Sequence, residues 1–217
     1  AVYALVKSLV QTAGDVDAVK AEKITACIAD WIDVDDQARA NGAENSHYVA
    51  QNPPYNCHNG KLTCLEELSI VKGIDAEIYE SISGYVTVYG TNCGVNINTA
   101  EPAVLRALAL ARKDTQEVYA EGFVRRILEF RAEGKTFPYL DNRKIRMLLF
   151  GEGEMSASER GEWGVLEWLL NHRLISVQSR HFYGISAARL VKGGAAERRI
   201  AFVFDSDTGE IEAWNEE

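Results

Sequence analysis

The chain has 217 residues and a mass of 24.1 kDa, with a formal net charge of −9, a pI of about 5.1, 47% hydrophobic residues and 25% charged residues. That length can bury a proper core in one large domain or two small ones. The acidic balance argues against a general affinity for phosphate backbones, and no apolar run approaches the roughly 20 residues of a membrane-spanning helix.

Ala1 to Thr12 and Asp15 to Trp31 carry helical apolar spacing, with Asp15 placed as an N-cap and Val16, Ile24, Ile28 and Trp31 near one face. Asp33 to Lys61 reads as one long irregular segment rich in Asp, Asn, Gly and Pro, and a loop of that length needs something to order it or a task to perform. Thr63 and Glu66 have capping-box spacing ahead of a short helix that stops at Gly73, and Asp75 caps another. Tyr85 to Tyr89 is strand-like. Thr99 and Asp114 are placed to open two further helices, the second ending at Gly134; Leu140 to Phe150 and Ser156 to Leu170 complete the helical part.

The period then changes. His181 to Leu190, Arg198 to Phe204 and Glu210 to Trp214 have β-character and are separated by Gly193-Gly194 and by Asp205 to Gly209. They predict an antiparallel meander, entered through a shorter strand at Leu174 to Val177. The fold class is therefore α+β, with a helical domain over residues 1–173 and a small antiparallel sheet over 174–217. Three strands cannot cover both of their faces alone.

Asp30, Asp33, Asp35, Asp36, Asn41, Glu44 and Asn45 crowd around Gly42 in the irregular segment. Calcium takes six to eight oxygen ligands, which loops of carboxylates, amides and carbonyls supply, and a bound cation would relieve the mutual repulsion of such a cluster. The EF-hand pattern does not fit. A solvated acidic loop is the blander reading, and charge clustering alone favours it. Acid/base catalysis lacks a companion histidine, nucleophile or phosphate loop, so the expectation is a non-enzyme.

The wording of this segment adds to the case. Asp30-Trp31-Ile32-Asp33-Val34-Asp35, then Gly42-Ala43-Glu44-Asn45 and Tyr48, resembles the D-W-x-D-x-D … G-A-E-D-x-x-Y signature of the minor pseudopilin K family of bacterial type II secretion systems. Pro53-Pro54-Tyr55, the Leu62 to Gly73 helix, Tyr85-Val86, Asn96 to Ala100, Ser179 to Phe182, Arg198-Arg199 and the Asp205 to Ile211 turn follow in the family's order. The resemblance implies a pilin-like core with a large inserted helical domain. It further implies a structural subunit at the pseudopilus tip alongside minor pseudopilins I and J, and H, with secreted substrates as further partners. Calcium in the signature loop is also implied, with Asp30, Asp33, Asp35, Glu44 and Asn45 as its ligands. Asn45 stands where the family has Asp, which removes one negative charge from the site, and Asp36 lies outside the pattern. The family's leader, apolar N-terminal helix and first strands have no counterpart in this sequence, so the chain is expected to be the periplasmic part of a protein anchored in the inner membrane.

The four cysteines, Cys27, Cys57, Cys64 and Cys93, form no C-x-x-C and are not part of the family pattern. Two disulfides in an oxidising compartment are one reading, with Cys57–Cys64 and Cys27–Cys93 as the pairing; four reduced thiols are the other.

A competing resemblance is to the helix-hairpin-helix module of nucleic-acid-binding proteins, carried by Asn96 to Ala100, Leu105, Ile127, Arg131, Gly134 and Phe137, with a second copy at Leu65 to Ile74. The glycine-rich hairpin that presents amides to a phosphate is missing, and Asp75 would face the phosphate instead. No nucleic-acid partner is expected. Trp163 and Trp168 read as a core helix face, and His47, His58, His172 and His181 are too scattered to build a transition-metal site together.

Overall fold

In the computed structural model, which describes residues 1–90, 94–189 and 197–216, the first two apolar patterns form α1 (Val2–Ala13) and α2 (Ala18–Ile32). The cap of α2 is Asp17, whose carboxylate accepts from the amides of Val19 and Lys20. Asp15 instead takes a left-handed φ of 49° in the connection. The acidic segment is irregular except for one turn of helix, α3 (Asn45–Tyr48). The capping box falls one residue later than expected, at Cys64 and Glu67, and opens a 3-10 helix, Leu65–Ile70. Asp75 caps α4 (Ala76–Ser83) through the Ile78 amide.

Tyr85 to Tyr89 does not form a strand. Val86 packs onto the core of the preceding helices. The strand of this region is β1 (Val95–Asn96). Pro102 at the first position of α5 (Pro102–Ala111) sets that helix start, after Glu101, while the amides of Thr99 and Ala100 turn back onto the Asn96 carbonyl. Then come α6 (Glu117–Ala132) with Gln116 as its cap, α7 (Asn142–Phe150) capped by Asp141, and α8 (Ala157–Asn171) with a Ser156/Glu159 capping box. β2 (Ile175–Ser176) pairs in parallel with β1. The expected entry strand thus exists but joins β1 and not the meander.

The chain divides into two units: Ala1–Val88 with Cys93–Val177, and Tyr89–Asn92 with Gln178–Glu217. The larger unit holds two apolar clusters. One gathers Val10, Ile24, Trp31, Tyr48, Leu68, Val71, Ile78 and Ile82 from α1, α2, the acidic segment, the 3-10 helix with its C-cap, and α4. The other gathers Leu105, Leu108, Phe123, Ile127, Ile145, Leu166 and Leu169 from α5 to α8, with Trp163 and Trp168 packed against it. Asn98 stitches the second cluster's loops: its amide donates to the Phe137 and Val177 carbonyls, both at 3.0 Å, and its oxygen accepts from the Phe137 amide at 2.7 Å. Glu162, 2% exposed, is paired with Arg126 at 2.7 Å, and Arg126 also donates to the Leu149 carbonyl.

The smaller unit is the expected meander. β3 (His181–Arg189), β4 (Glu197–Asp205) and β5 (Glu210–Glu216) pair antiparallel in chain order, with a bulge between Val203 and Phe204. Leu190 and Gly193-Gly194 lie outside the described residues. Phe182, Tyr183, Ile185, Ile211 and Trp214 are all exposed.

Cys27, Cys57 and Cys64 are free thiols. The expected Cys57–Cys64 bridge is not formed, because Cys57 is buried in the first cluster while Cys64 is exposed as the cap of the 3-10 helix. Cys93, and with it the Cys27–Cys93 pairing, lies outside the described residues. No described helix is long and apolar enough to cross a membrane.

Candidate metal centre

The C-terminal turn of α2 carries Asp30 and Trp31 on its buried side. The Trp31 ring packs edge-on against Tyr48 at 4.9 Å, which anchors the far end of the acidic segment to the helix. Tyr48 is fully buried, and its carbonyl accepts from the Tyr55 amide. On the other flank the Trp31 indole donates to Glu67 at 3.2 Å. Burial pushes the Glu67 carboxyl up, but hydrogen bonds from Thr63, Trp31 and Cys64 together outweigh it and hold the group down to about 2.

Between these anchors the chain returns Glu44 beside Asp30 and Asp33, and oxygens of the three carboxylates lie within 4.8 Å of one another. Asp30 is fully buried and Glu44 is 3% exposed. Gly42 permits this return: a Cβ there would stand 1.9 Å from Asp30 Oδ2. The Arg39 guanidinium donates to Asp30 Oδ1 at 2.6 Å and also pairs with Asp33, while the Arg39 amide donates to Asp30 Oδ2 at 3.1 Å.

Arg39 leaves the cluster with an excess of negative charge. Asp33 Oδ1 and both oxygens of Glu44 are buried without a hydrogen bond. The nearby Cys57 thiol donates to the Asp30 carbonyl at 3.8 Å, and burial pushes that thiol up to about 11. Burial, and then repulsion from Asp30 and Asp33, raises the Glu44 carboxyl above its ordinary value. A buried carboxylate without donors is costly unless a cation completes it. The set is all hard oxygen, so the residues fit a calcium-type ion, with Asp30, Asp33 and Glu44 as the groups that would hold it.

The other two residues expected as ligands sit elsewhere. Asp35 is exposed and accepts from the Gln37 amide at 2.9 Å. The Asn45 side-chain oxygen accepts from the Cys57 amide at 3.0 Å, tying the segment to its return leg. Asp36, outside the signature, accepts from the Asn45 amide at 3.1 Å. Arg39 has no sequence signal beyond being a basic residue inside an acidic run.

The helix-hairpin-helix residues serve packing. Asp75 occupies the start of α4, Arg131 donates to the Ala100 carbonyl at 2.6 Å, and Arg126 is committed to Glu162. Lys144 lies over the Tyr139 ring. These contacts give a phosphate reading no support.

Residues 3–91 match the family model for the type II secretion system (T2SS) protein K. Among curated proteins, type II secretion system protein K of Pectobacterium carotovorum subsp. carotovorum is 42% identical over 81 residues, covering 37% of this chain and 25% of that protein. Protein K of Klebsiella pneumoniae is 38% identical over 94 residues, covering 42% of this chain and 29% of that protein. The matched stretch thus spans between a quarter and a third of these relatives. A chain of the GspK-GspI-GspJ complex from the type 2 secretion system of enterotoxigenic Escherichia coli shares the fold, with a TM-score of 0.67, 19% identity, and coverage of 99% of this chain and 69% of that one. The acidic cluster, its glycine and its aromatic anchors all fall inside the residues that match the type II secretion system protein K family model.

Proposed function

We propose that the chain works as a minor pseudopilin K: a non-catalytic subunit at the tip of the type II secretion pseudopilus, joining minor pseudopilins I, J and H. In this reading it is the periplasmic part of a protein anchored in the inner membrane. The observation that carries the reading is the shared fold along 99% of the chain with a member of a complex whose three components are GspK, GspI and GspJ. The helical unit is much larger than the three-stranded one, and such bulk suits a filament position with nothing stacked above it.

Calcium completes the proposal. Asp30, Asp33 and Glu44 hold the ion, while Asp35 and Asn45 shape the loop around it through their bonds to Gln37 and Cys57. Binding would neutralise the buried Glu44 and join α2 to the return leg of the acidic segment. Mixing the chain with purified pseudopilins I and J and following co-elution tests the assembly role. A three-component peak is expected, and separate elution of all components at micromolar concentrations would refute it.

A further inference from the structure

A second group of metal-ligating side chains lies in the three-stranded unit. His181 and Asp205 are directly opposed at the end of the β3–β4 ladder, so their side chains leave the same face. Asp205 is paired in turn with Glu210, so Glu212, two residues further along β5, belongs to the same face by strand alternation. Ala213 pairs with Val203 and Ile211 with Phe204, which leaves Glu212 as the extra residue of the bulge. Here the result is a Glu212 carboxylate 3.3 Å from His181 Nε2.

The distances suit a small ion. A tetrahedral zinc with ligands at about 2.0–2.2 Å spaces its ligand atoms roughly 3.3–3.6 Å apart. His181 Nε2 is 3.3 Å from Glu212 Oε2 and 3.9 Å from Asp205 Oδ2, and all three atoms lie within 4.8 Å of one another. Asp205 is only 9% exposed. Its other oxygen accepts from the Asp207 amide at 2.8 Å, which fixes the carboxylate's orientation as outer hydrogen bonds do for metal ligands. Gly90 lies against the imidazole edge, where a Cβ would come within 3.2 Å of Nδ1, so the ring is seated and not free to swing.

We infer that His181, Asp205 and Glu212 form a binding site for a divalent transition-metal ion, with zinc as the ion that fits, and that the ion staples β3, β4 and β5 at one end of the sheet. The imidazole nitrogen separates this site from the all-oxygen cluster, because nitrogen ligands favour zinc over calcium. One histidine suffices here, because the strand register supplies two carboxylates on its face.

Isothermal titration of the 217-residue chain with zinc chloride, in a buffer containing excess calcium to fill the all-oxygen cluster, tests the site. A single equivalent of zinc is expected to bind, with affinity falling at least about tenfold in His181→Ala and in Glu212→Gln. Cys64→Ser, which removes the exposed thiol, should leave the isotherm unchanged. Glu212 is exposed, so Glu212→Gln keeps the fold intact and circular dichroism checks it. Cobalt in place of zinc should give the visible bands of a tetrahedral nitrogen–oxygen site. Absence of zinc binding, or zinc held equally tightly by both variants, would show that the triad is an ion pair and overturn the proposal.

Discussion

Replacing Glu44 by Gln separates the two roles proposed for the acidic cluster. The side chain keeps its shape and loses a charge that has no hydrogen-bond partner. At the 4.8 Å that bounds the cluster, two carboxylates in an effective dielectric of about 20 repel by ~3 kcal/mol, and the single charge of Arg39, shared between Asp30 and Asp33, offsets only part of the repulsion on Glu44. Without metal, Glu44→Gln should therefore melt no lower than the parent, and higher at neutral pH. Calcium at a hundredfold excess over its Kd stabilises a protein that binds it only when folded by ~2.7 kcal/mol. For a chain of this length that is a Tm rise of roughly 5–10 °C. Scanning calorimetry of both proteins in EDTA and in calcium should show that rise in the parent and less than about 2 °C in the variant. The pH dependence carries a sign. The folded carboxyl binds its proton more tightly than the unfolded one, whose ordinary value is 4.5, so metal-free stability falls as pH rises from there through the raised folded value. Calcium binding strengthens over the same interval, and the variant loses both trends. A calcium shift that survives in Glu44→Gln, or a metal-free variant that melts well below the parent, would refute the reasoning.

Gly42→Ala drives a methyl into the Asp30 carboxylate, which Arg39 holds in place, and should cost ~1–3 kcal/mol in urea unfolding; an unchanged midpoint would contradict the close approach. Arg126→Ala strands the buried Glu162 and should cost ~3–5 kcal/mol, whereas replacing both residues by Met should cost much less. Native labelling with N-ethylmaleimide should modify Cys64 rapidly, and Cys27 and Cys57 only after denaturation; a linked Cys57–Cys64 peptide in the mass map would contradict the free thiols.

Elements whose apolar period was strong were legible from the residues alone: α2, α6, α8 and the three strands of the meander all lie close to where the spacing places them. Their starts were less legible. Asp15, Thr99 and Asp114 are all good cap residues, yet Asp17, Glu101 and Gln116 hold the cap positions, because the turn ahead of each helix and the proline at 102 set the first helical residue. Tyr85 to Tyr89 has strand composition but is not part of a described ladder, and pairing is a tertiary fact. In the acidic segment the spacing showed that carboxylates were crowded. Which of them converge depends on the Trp31–Tyr48 contact folding the segment back, and that selected Asp30, Asp33 and Glu44 over Asp35 and Asn45. The role of Arg39 follows from the same fold-back.

The three-stranded sheet carries apolar side chains on both faces, Phe182 and Trp214 on one and Tyr183 and Ile185 on the other. In most sheets a strand that slips by one residue exposes its greasy side and buries its wet one, so hydrophobicity alone polices the alignment. Here a slipped β3 would exchange one oily surface for another at little cost. Correct threading then rests on local devices: the Asp205 to Gly209 turn, with Gly209 at a φ of 75°, and the irregularity at Val203/Phe204 set β5, while the Ser206 amide on the Arg180 carbonyl and the Arg180–Asp207 pair tie the start of β3 to that same turn. Substitutions in that turn should therefore scramble strand alignment more readily than substitutions among the aromatic residues themselves.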